Sequence, residues 1–280
     1  MSSILTNNGA MVALQTLKGI NSNLAKTQSE ISTGKSVATA KDNAAIWATS
    51  KIMETDETSF KAIRSQLNVA EATVAVGRNG AEQITKLLRE MKDLAVSAAN
   101  DSADHAKINT DVVAKKNQIT AIIDASQMNG INLLKTNVDG GTDTSFTVLA
   151  SLDRTGETTG KVVIDVASAD FETSVEAATI TAIADTATAQ TAITEIEALI
   201  EVAAKGAAAL GSSGKRITDQ AEFVGKLADS LKSGIGSMVD ADMEEASARL
   251  QALQVQQQLA TQSLSIANQA PQSLLSLFRG

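Results

Sequence analysis

Apolar residues recur along this chain in alternating steps of three and four. From Phe60 the spaced positions are Ile63, Leu67, Ala70, Val74, Gly77, Ala81, Ile84, Leu88, Met91, Ala95 and Ala98, and the register runs backward through Met53 to Ile46. That rhythm puts about one side chain per turn on a single face of an α-helix. It predicts one helix over 43–100, on the order of 85 Å long at about 1.5 Å per residue. Asp42 or Asn43 would cap its start, and Asn100-Asp101-Ser102 would end it. A second helix is expected over 104–127, with Ile108, Val112, Ile119, Ile122 and Ile123 on its apolar side, followed by a turn at Asn129-Gly130. Downstream, Ile193, Ile196, Ile200, Ala203, Ala207 and Leu210 keep the rhythm, which continues through Gly214, Ile217, Ala221, Val224, Ala228, Leu231 and Ile235 to Met238. Gly211-Ser212-Ser213-Gly214 would loosen this helix locally. Two long heptad helices on opposite sides of the midpoint predict an antiparallel, left-handed rod.

Between them, residues 136–182 are rich in Thr, Gly, Ser and Asp. Ser145–Leu149 and Lys161–Val166 read as short strands joined through a turn at Asp153-Arg154-Thr155-Gly156, so a small β-hairpin is expected. The two ends are different again. Residues 1–17 and 250–278 carry no charge, yet both are helical in pattern. At the N-terminal end Leu14, Leu17, Leu24 and Ile31 form one stripe, with Asn21 and Gln28 interleaved. At the C-terminal end Met243, Ala246, Leu250, Leu253, Gln257, Ala260, Leu264 and Ala267 form another. This stripe is displaced by one residue from the one ending at Met238, which places a joint at Val239-Asp240-Ala241-Asp242. Ala252, Val255, Leu259, Gln262 and Ile266 add a second stripe nearly opposite the first. A helix that is apolar on two sides and uncharged all round should not face water. Identical neighbours could cover it, and a head-to-tail contact that does not close into a ring gives an open helical filament. Ordering of the ends is then expected to couple to assembly.

Composition narrows the chemistry. With five Phe, one Trp and no Tyr, the core must be built from Ala, Val, Ile and Leu, which suits long packed helices. The single proline, Pro271, leaves the long helices uninterrupted. A net charge of −8 argues against nucleic acid, and the absence of cysteine excludes disulfides and thiol chemistry. Residues 1–44 carry four Lys against Glu30 and Asp42, so the acidic excess lies in the middle of the chain. Leu250–Phe278 is too diluted by Gln, Ser, Asn and Thr for membrane insertion. The first basic residue is Lys18, so a conventional signal peptide is not expected.

No cofactor, metal or catalytic constellation emerges. His105 is the only histidine and reads as a surface residue. Asp240 and Asp242, with Glu244 and Glu245, read as a solvated joint, because residues two apart on a helix do not face each other. Gly211-Ser212-Ser213-Gly214-Lys215 lacks the four-residue spacing of a phosphate loop. Trp47 reads as a packing residue at the start of the long helix. Gln28 and Gln257 are either tolerated in a loose seam or set its register.

Several segments together resemble the bacterial flagellins. Ile31-Ser32-Thr33-Gly34-Lys35 leading to Ala40-Lys41-Asp42-Asn43-Ala44-Ala45 is similar to that family's Ser-Gly turn before an Ala-Lys-Asp-Asp-Ala-Ala stretch. Leu88-Arg89-Glu90-Met91-Lys92-Asp93 with Leu94-Ala95-Val96 resembles its central helix, and Asn129-Gly130 before Leu133-Leu134 its Asn-Gly turn. Met238-Val239-Asp240-Ala241-Asp242-Met243 is similar to its Ile-Glu-Asp-Ala-Asp joint, and Ala267-Asn268-Gln269-Ala270-Pro271-Gln272 with Leu274-Leu275-Ser276-Leu277 to its C-terminal signature.

The resemblance implies a mainly α, non-enzymatic subunit that polymerises with itself into an extracellular flagellar filament for swimming; the alternative is a hook-filament junction protein. It implies an inner-core polymerisation domain from 1–42 and 239–280, a rod from 43–135 and 183–238, and the hairpin region 136–182 between them. Leu14, Leu17, Leu24, Ile31, Leu250, Leu253, Val255, Leu259, Leu264 and Ile266 are the expected subunit-interface residues. Implied partners are an export chaperone, the flagellar type III export apparatus, the filament cap and the hook-filament junction proteins. Arg89 and Glu90 fall in the stretch that in many family members contacts an animal Toll-like receptor, where Glu90 takes the place of the motif's first arginine.

Overall fold

A computed structural model describes residues 7–153 and 160–277. It is mainly helical: α1 (Asn8–Thr33), α2 (Ala44–Ser97), α3 (His105–Ala125), strands β1 (Ser145–Asp153) and β2 (Gly160–Ala167), a π-helical turn Glu172–Glu176, then α4 (Thr186–Val239) and α5 (Met243–Leu277). The described residues fall into two compact units. One comprises the described residues up to 57 with those from 230 onward, the other those of 58–229, so both boundaries lie inside long helices.

In the second unit, every spaced position from Phe60 to Ala98 is buried. The chain meets α4 antiparallel: Arg64 lies against Gly225, Val74 against Gly214 and Gly77 against Leu210, so partner numbers fall in step as α2 advances. Lys92 closes the series with a 2.7 Å ion pair to Glu197. The helix α4 runs unbroken through Gly211-Ser212-Ser213-Gly214, correcting the expected loosening. A Cβ at Gly214 would meet Val74 at an ordinary contact distance of 3.6 Å, so the position has room for a small side chain and the glycine puts no bend into the helix. A second side of α2 is also buried, through Thr73, Gly80 and Leu87. Gly80 admits Ser126 and Leu134 so closely that a Cβ would sit 2.3 Å from the serine hydroxyl.

Local chemistry fixes the connections. Asn43 Oδ1 accepts from the Ile46 amide at 3.2 Å and caps α2, while Asp42 instead accepts from the Thr39 amide and hydroxyl. Asp104 caps α3. Asn129 (φ 52°) and Gly130 (φ 82°) make a two-residue reversal in which Met128 and Ile131 exchange both backbone hydrogen bonds, the geometry an Asn-Gly pair favours. The buried Asn132 follows, donating to the Ile123 carbonyl and accepting from the Leu134 amide.

The strands are longer than expected. They pair antiparallel from Ser145↔Ala167 to Asp153↔Gly160, with an irregularity between Leu149 and Ser151. Val148, Ala150, Ile164 and Val166 form the buried face. Most of the expected turn, Arg154-Thr155-Gly156, lies outside the described residues. The segment after β2 is more than a connection. Asp170 accepts from the Thr136 hydroxyl, the Thr181 amide and hydroxyl donate to Glu195, and the Ile183 amide donates to Asn109 Oδ1. Phe171, fully buried, sits directly over Gly206 of α4, where a Cβ would lie 2.5 Å from the ring.

That approach gives a stability prediction. A buried ring cannot move aside freely, and forced overpacking costs about 1–3 kcal/mol. Gly206→Ala should lower stability by that amount in chemical denaturation, and Phe171→Leu in the same chain should recover part of it. An unchanged denaturation midpoint for Gly206→Ala would show that the ring has room to retreat.

Candidate functional site

The first unit is built from the two uncharged ends. Gly34, in the left-handed conformation (φ 68°), ends α1 and turns the chain. Its carbonyl accepts from the Ala241 amide at 3.0 Å, and the Ser36 amide and hydroxyl both donate to the Val239 carbonyl, at 2.8 and 3.1 Å. The Ser-Gly turn and the Val-Asp-Ala-Asp joint, about 200 residues apart, are therefore one hydrogen-bonded structure. Asp242 closes the joint by accepting from the Glu244 and Glu245 amides and capping α5. The acidic residues at the joint thus have a local structural use, and among the described residues no group of His, Asp and Glu could hold a metal ion.

Beyond the joint, α1 and α5 pack against each other. On α5, Leu253 and Ala246 are buried, and Leu250, Gln257, Ala260, Leu264 and Ala267 are half-buried, so the first stripe faces α1 as its spacing predicts; only Met243, at its start, is exposed. On α1 the shielded positions are Ala10, Ala13, Leu17, Ile20, Leu24, Thr27 and Ile31. This corrects the phase of the expected N-terminal stripe. Leu17, Leu24 and Ile31 belong to the seam, Leu14 and Gln28 do not, and Ala13, Ile20 and Thr27 take the interleaved places, with Asn21 exposed at the seam's edge. Leucine was a misleading guide at position 14 because α1 is apolar on more than one side.

Two polar contacts cross the seam. Gln257 Nε2 donates to Asn21 Oδ1 at 2.7 Å, and Asn7 Nδ2 donates to the Ala267 carbonyl at 2.7 Å. Gln257 is thus a specific partner rather than a merely tolerated polar residue; Gln28 is simply exposed.

Outside the seam lies an apolar surface with no cover. Met11, Val12 and Leu14 on α1 are 54%, 64% and 44% exposed, and Val255, Leu259 and Ile266 on α5 are 55%, 56% and 69% exposed. Of the residues expected at a subunit interface, Leu14, Val255, Leu259 and Ile266 therefore stand on this outer surface. Leu17, Leu24, Ile31, Leu250, Leu253 and Leu264 line the seam within the chain. No helix among the described residues is long and apolar enough to cross a membrane. This surface calls for a protein partner: it combines exposed large apolar groups with a helix that has no charge from Leu250 onward.

In the second unit, Arg89 is exposed, whereas Glu90 is half-buried and accepts from Lys115 Nζ of α3 at 2.5 Å. The Lys115 hydrogen bond, then its charge, hold the Glu90 carboxyl below its ordinary value. His105 is half-buried, with Nε2 2.9 Å from the Ala98 carbonyl, where it joins the end of α2 to the start of α3. The expectation of a surface residue did not include this contact.

Comparison with known proteins bears on the whole chain. Residues 4–139 match the family described as the bacterial flagellin N-terminal helical region, and residues 191–278 match the bacterial flagellin C-terminal helical region. Flagellin FljK of Caulobacter vibrioides is 40% identical over 282 residues, covering 100% of this chain and 99% of its own length. A flagellin of Brucella melitensis is 37% identical over 287 residues, covering 100% of both chains. Among solved structures, a crystal structure of Bacillus cereus flagellin aligns with 66% of this chain and 94% of its own, at 20% identity and a TM-score of 0.41.

The Glu90–Lys115 pair carries a pH prediction. A carboxyl held below its ordinary value contributes stability that is present above the unfolded-state value and lost as pH falls through the folded one. The wild-type chain should therefore be more stable than Glu90→Gln at neutral pH, and the difference should shrink and then vanish as acid takes the pH below the ordinary carboxylate range. Equal midpoints at pH 7 in thermal melts of the two chains would show that the pair contributes nothing.

Proposed function

The chain belongs to the bacterial flagellin family and is a structural subunit of the flagellar filament; we propose that it polymerises through the outer faces of α1 and α5, each pair covered by the pairs of neighbouring subunits. The observation that carries this reading is the uncovered apolar surface formed by Met11, Val12, Leu14, Val255, Leu259 and Ile266. The seam residues serve the same end indirectly, by holding the two faces side by side. In this reading 1–42 and 239–280 form the inner-core polymerisation domain, 43–135 and 183–238 the rod, and 136–182 the hairpin region.

The full-length matches are to flagellins, and nothing favours the hook-filament junction alternative. The subunit has no catalytic role in this reading. It is exported by the flagellar type III apparatus with a chaperone and meets the filament cap and the hook-filament junction proteins outside the cell. Arg89 and Glu90 stand where the family's receptor-contacting stretch falls. Weak recognition by the Toll-like receptor is supported by the carboxylate in place of an arginine and by its engagement with Lys115.

Variants of the two faces of α5 test the interface. Leu259 is exposed, so Leu259→Lys should leave the subunit helical by circular dichroism. On assembly the lysine would be an unpaired buried charge, which is costly, and sedimentable filament should disappear. Leu253→Lys, in the buried seam, should lower subunit stability as well. Filaments formed by Leu259→Lys at wild-type yield would rule out a covered outer face.

A further inference from the structure

We propose that Met11 is a redox-sensitive modification site that decides whether a subunit can polymerise: oxidation of its thioether to the sulfoxide by a peroxide blocks assembly, and assembly shields the sulfur from oxidation. This rests on the reading that neighbouring subunits cover the outer face of α1.

The chain has seven methionines. Among the described ones, Met91 is fully buried and Met53, Met128 and Met238 are half-buried, while Met11 and Met243 are exposed. Exposure governs which thioethers a peroxide reaches. The two exposed sulfurs differ in surroundings. Met243 opens α5 beside Asp242, Glu244 and Glu245, at a solvated and charged joint. Met11 stands next to Val12 and one turn from Leu14, on the exposed side of a segment with no charge before Lys18.

The reaction is a two-electron oxygen transfer. A sulfur lone pair attacks one peroxide oxygen, the O–O bond breaks, and an S–O bond forms. The sulfur is oxidised, the departing oxygen is reduced, and with the proton it leaves as water. The product keeps the length of the side chain but replaces a polarizable apolar atom by a strong hydrogen-bond acceptor. In the free subunit water solvates that oxygen, so folding is little affected. In the filament the oxygen must lose its water. The exposed apolar groups beside it, Val12 and Leu14, offer no side-chain donor, and the exposed amides that flank it on the same side of α1, Asn8 and Gln15, would have to give up their own water to supply one. A buried polar group without a partner is penalised, and the penalty falls on the polymer rather than on the subunit. A sulfoxide at Met243 keeps its access to water and should be tolerated.

The test uses the full-length subunit and hydrogen peroxide. Peptide mass spectrometry follows sulfoxide at each methionine, and seeded sedimentation gives the critical concentration for assembly. Sulfoxide at Met11 should accumulate in free subunits and raise the critical concentration roughly tenfold or more. Preformed filaments should oxidise more slowly at Met11 than free subunits. Met11→Leu should assemble normally before and after peroxide, Met243→Leu should remain sensitive, and a methionine sulfoxide reductase should restore assembly of the oxidised wild-type chain. If Met11→Leu assembles poorly by itself, Met243→Leu treated with peroxide and then with the reductase decides the matter, because Met11 is then the one exposed methionine left among the described residues. Normal assembly of subunits oxidised at Met11, or equal oxidation rates in filament and subunit, would overturn the proposal. If Leu259→Lys blocks assembly while oxidised Met11 does not, only this proposal fails; if Leu259→Lys assembles normally, the covered-face reading fails first.

Discussion

An α-helix satisfies its own backbone, but it cannot hide two apolar faces behind a single partner. That constraint shapes the first unit. One side of α5 is covered by α1, and the other is left with Val255, Leu259 and Ile266 exposed. Even the covered side is shallow: Leu250, Ala260 and Leu264 are only half-buried. In the second unit, by contrast, α2 is buried on two sides, against α4 and against the region of α3 and Leu134. The same heptad rhythm therefore yields a finished core in one unit and an unfinished one in the other. What distinguishes them is the number of neighbouring elements that the chain itself supplies. Among the described residues the chain offers nothing more to cover the outer face of α5, which is the physical condition for a helix pair whose stability is linked to a partner.

The scarcity of aromatic residues fits the finished core. Helices carrying Ala and Gly at their contact positions can approach closely, and α2 does so at Gly77 and Gly80. Close approach compensates for the small area of each side chain, because dispersion depends on the number of atoms in contact rather than on the size of any one residue. Phe171 is the instructive exception. A large ring is buried where Gly206 removes a side chain from the opposite helix, so volume is added on one side and taken away on the other.

Much of this was legible in the sequence, and the limits are specific. The heptad positions of α2 appear as written because a long run of one period leaves no ambiguity of phase. The two stripes of α5 were legible for the same reason, and the joint at 240–242 showed itself as a change of phase. On α1 the phase was misread at Leu14, since Met11, Val12 and Leu14 make several faces apolar at once and small Ala13 and polar Thr27 turn out to be the shielded ones. Neither the π-helical turn nor the pairing of Phe171 with Gly206 carries a local signal, because each depends on a residue far away in the chain. For Asn132, the Asn-Gly reversal just before it was visible, but its buried bond to Ile123 was not.

The α1–α5 seam raises one further question, that of register. Helices joined by a short loop inherit their alignment from the loop, but these two come from opposite ends of the chain. Their apolar stripes repeat every seven residues, so a slide by one repeat would still place apolar groups against apolar groups. Polar groups remove that degeneracy because a hydrogen bond, unlike an apolar contact, is lost on displacement. At one end of the seam the carbonyls of Gly34 and Val239 are bonded to Ala241 and Ser36; in the middle Gln257 meets Asn21; near the other end Asn7 meets the Ala267 carbonyl. Each bond is modest in strength, but displacement by one repeat breaks them together. The polar residues that interrupt the stripes therefore do what the apolar residues cannot: they select one alignment of two otherwise repetitive helices, and with it one arrangement of their outer faces.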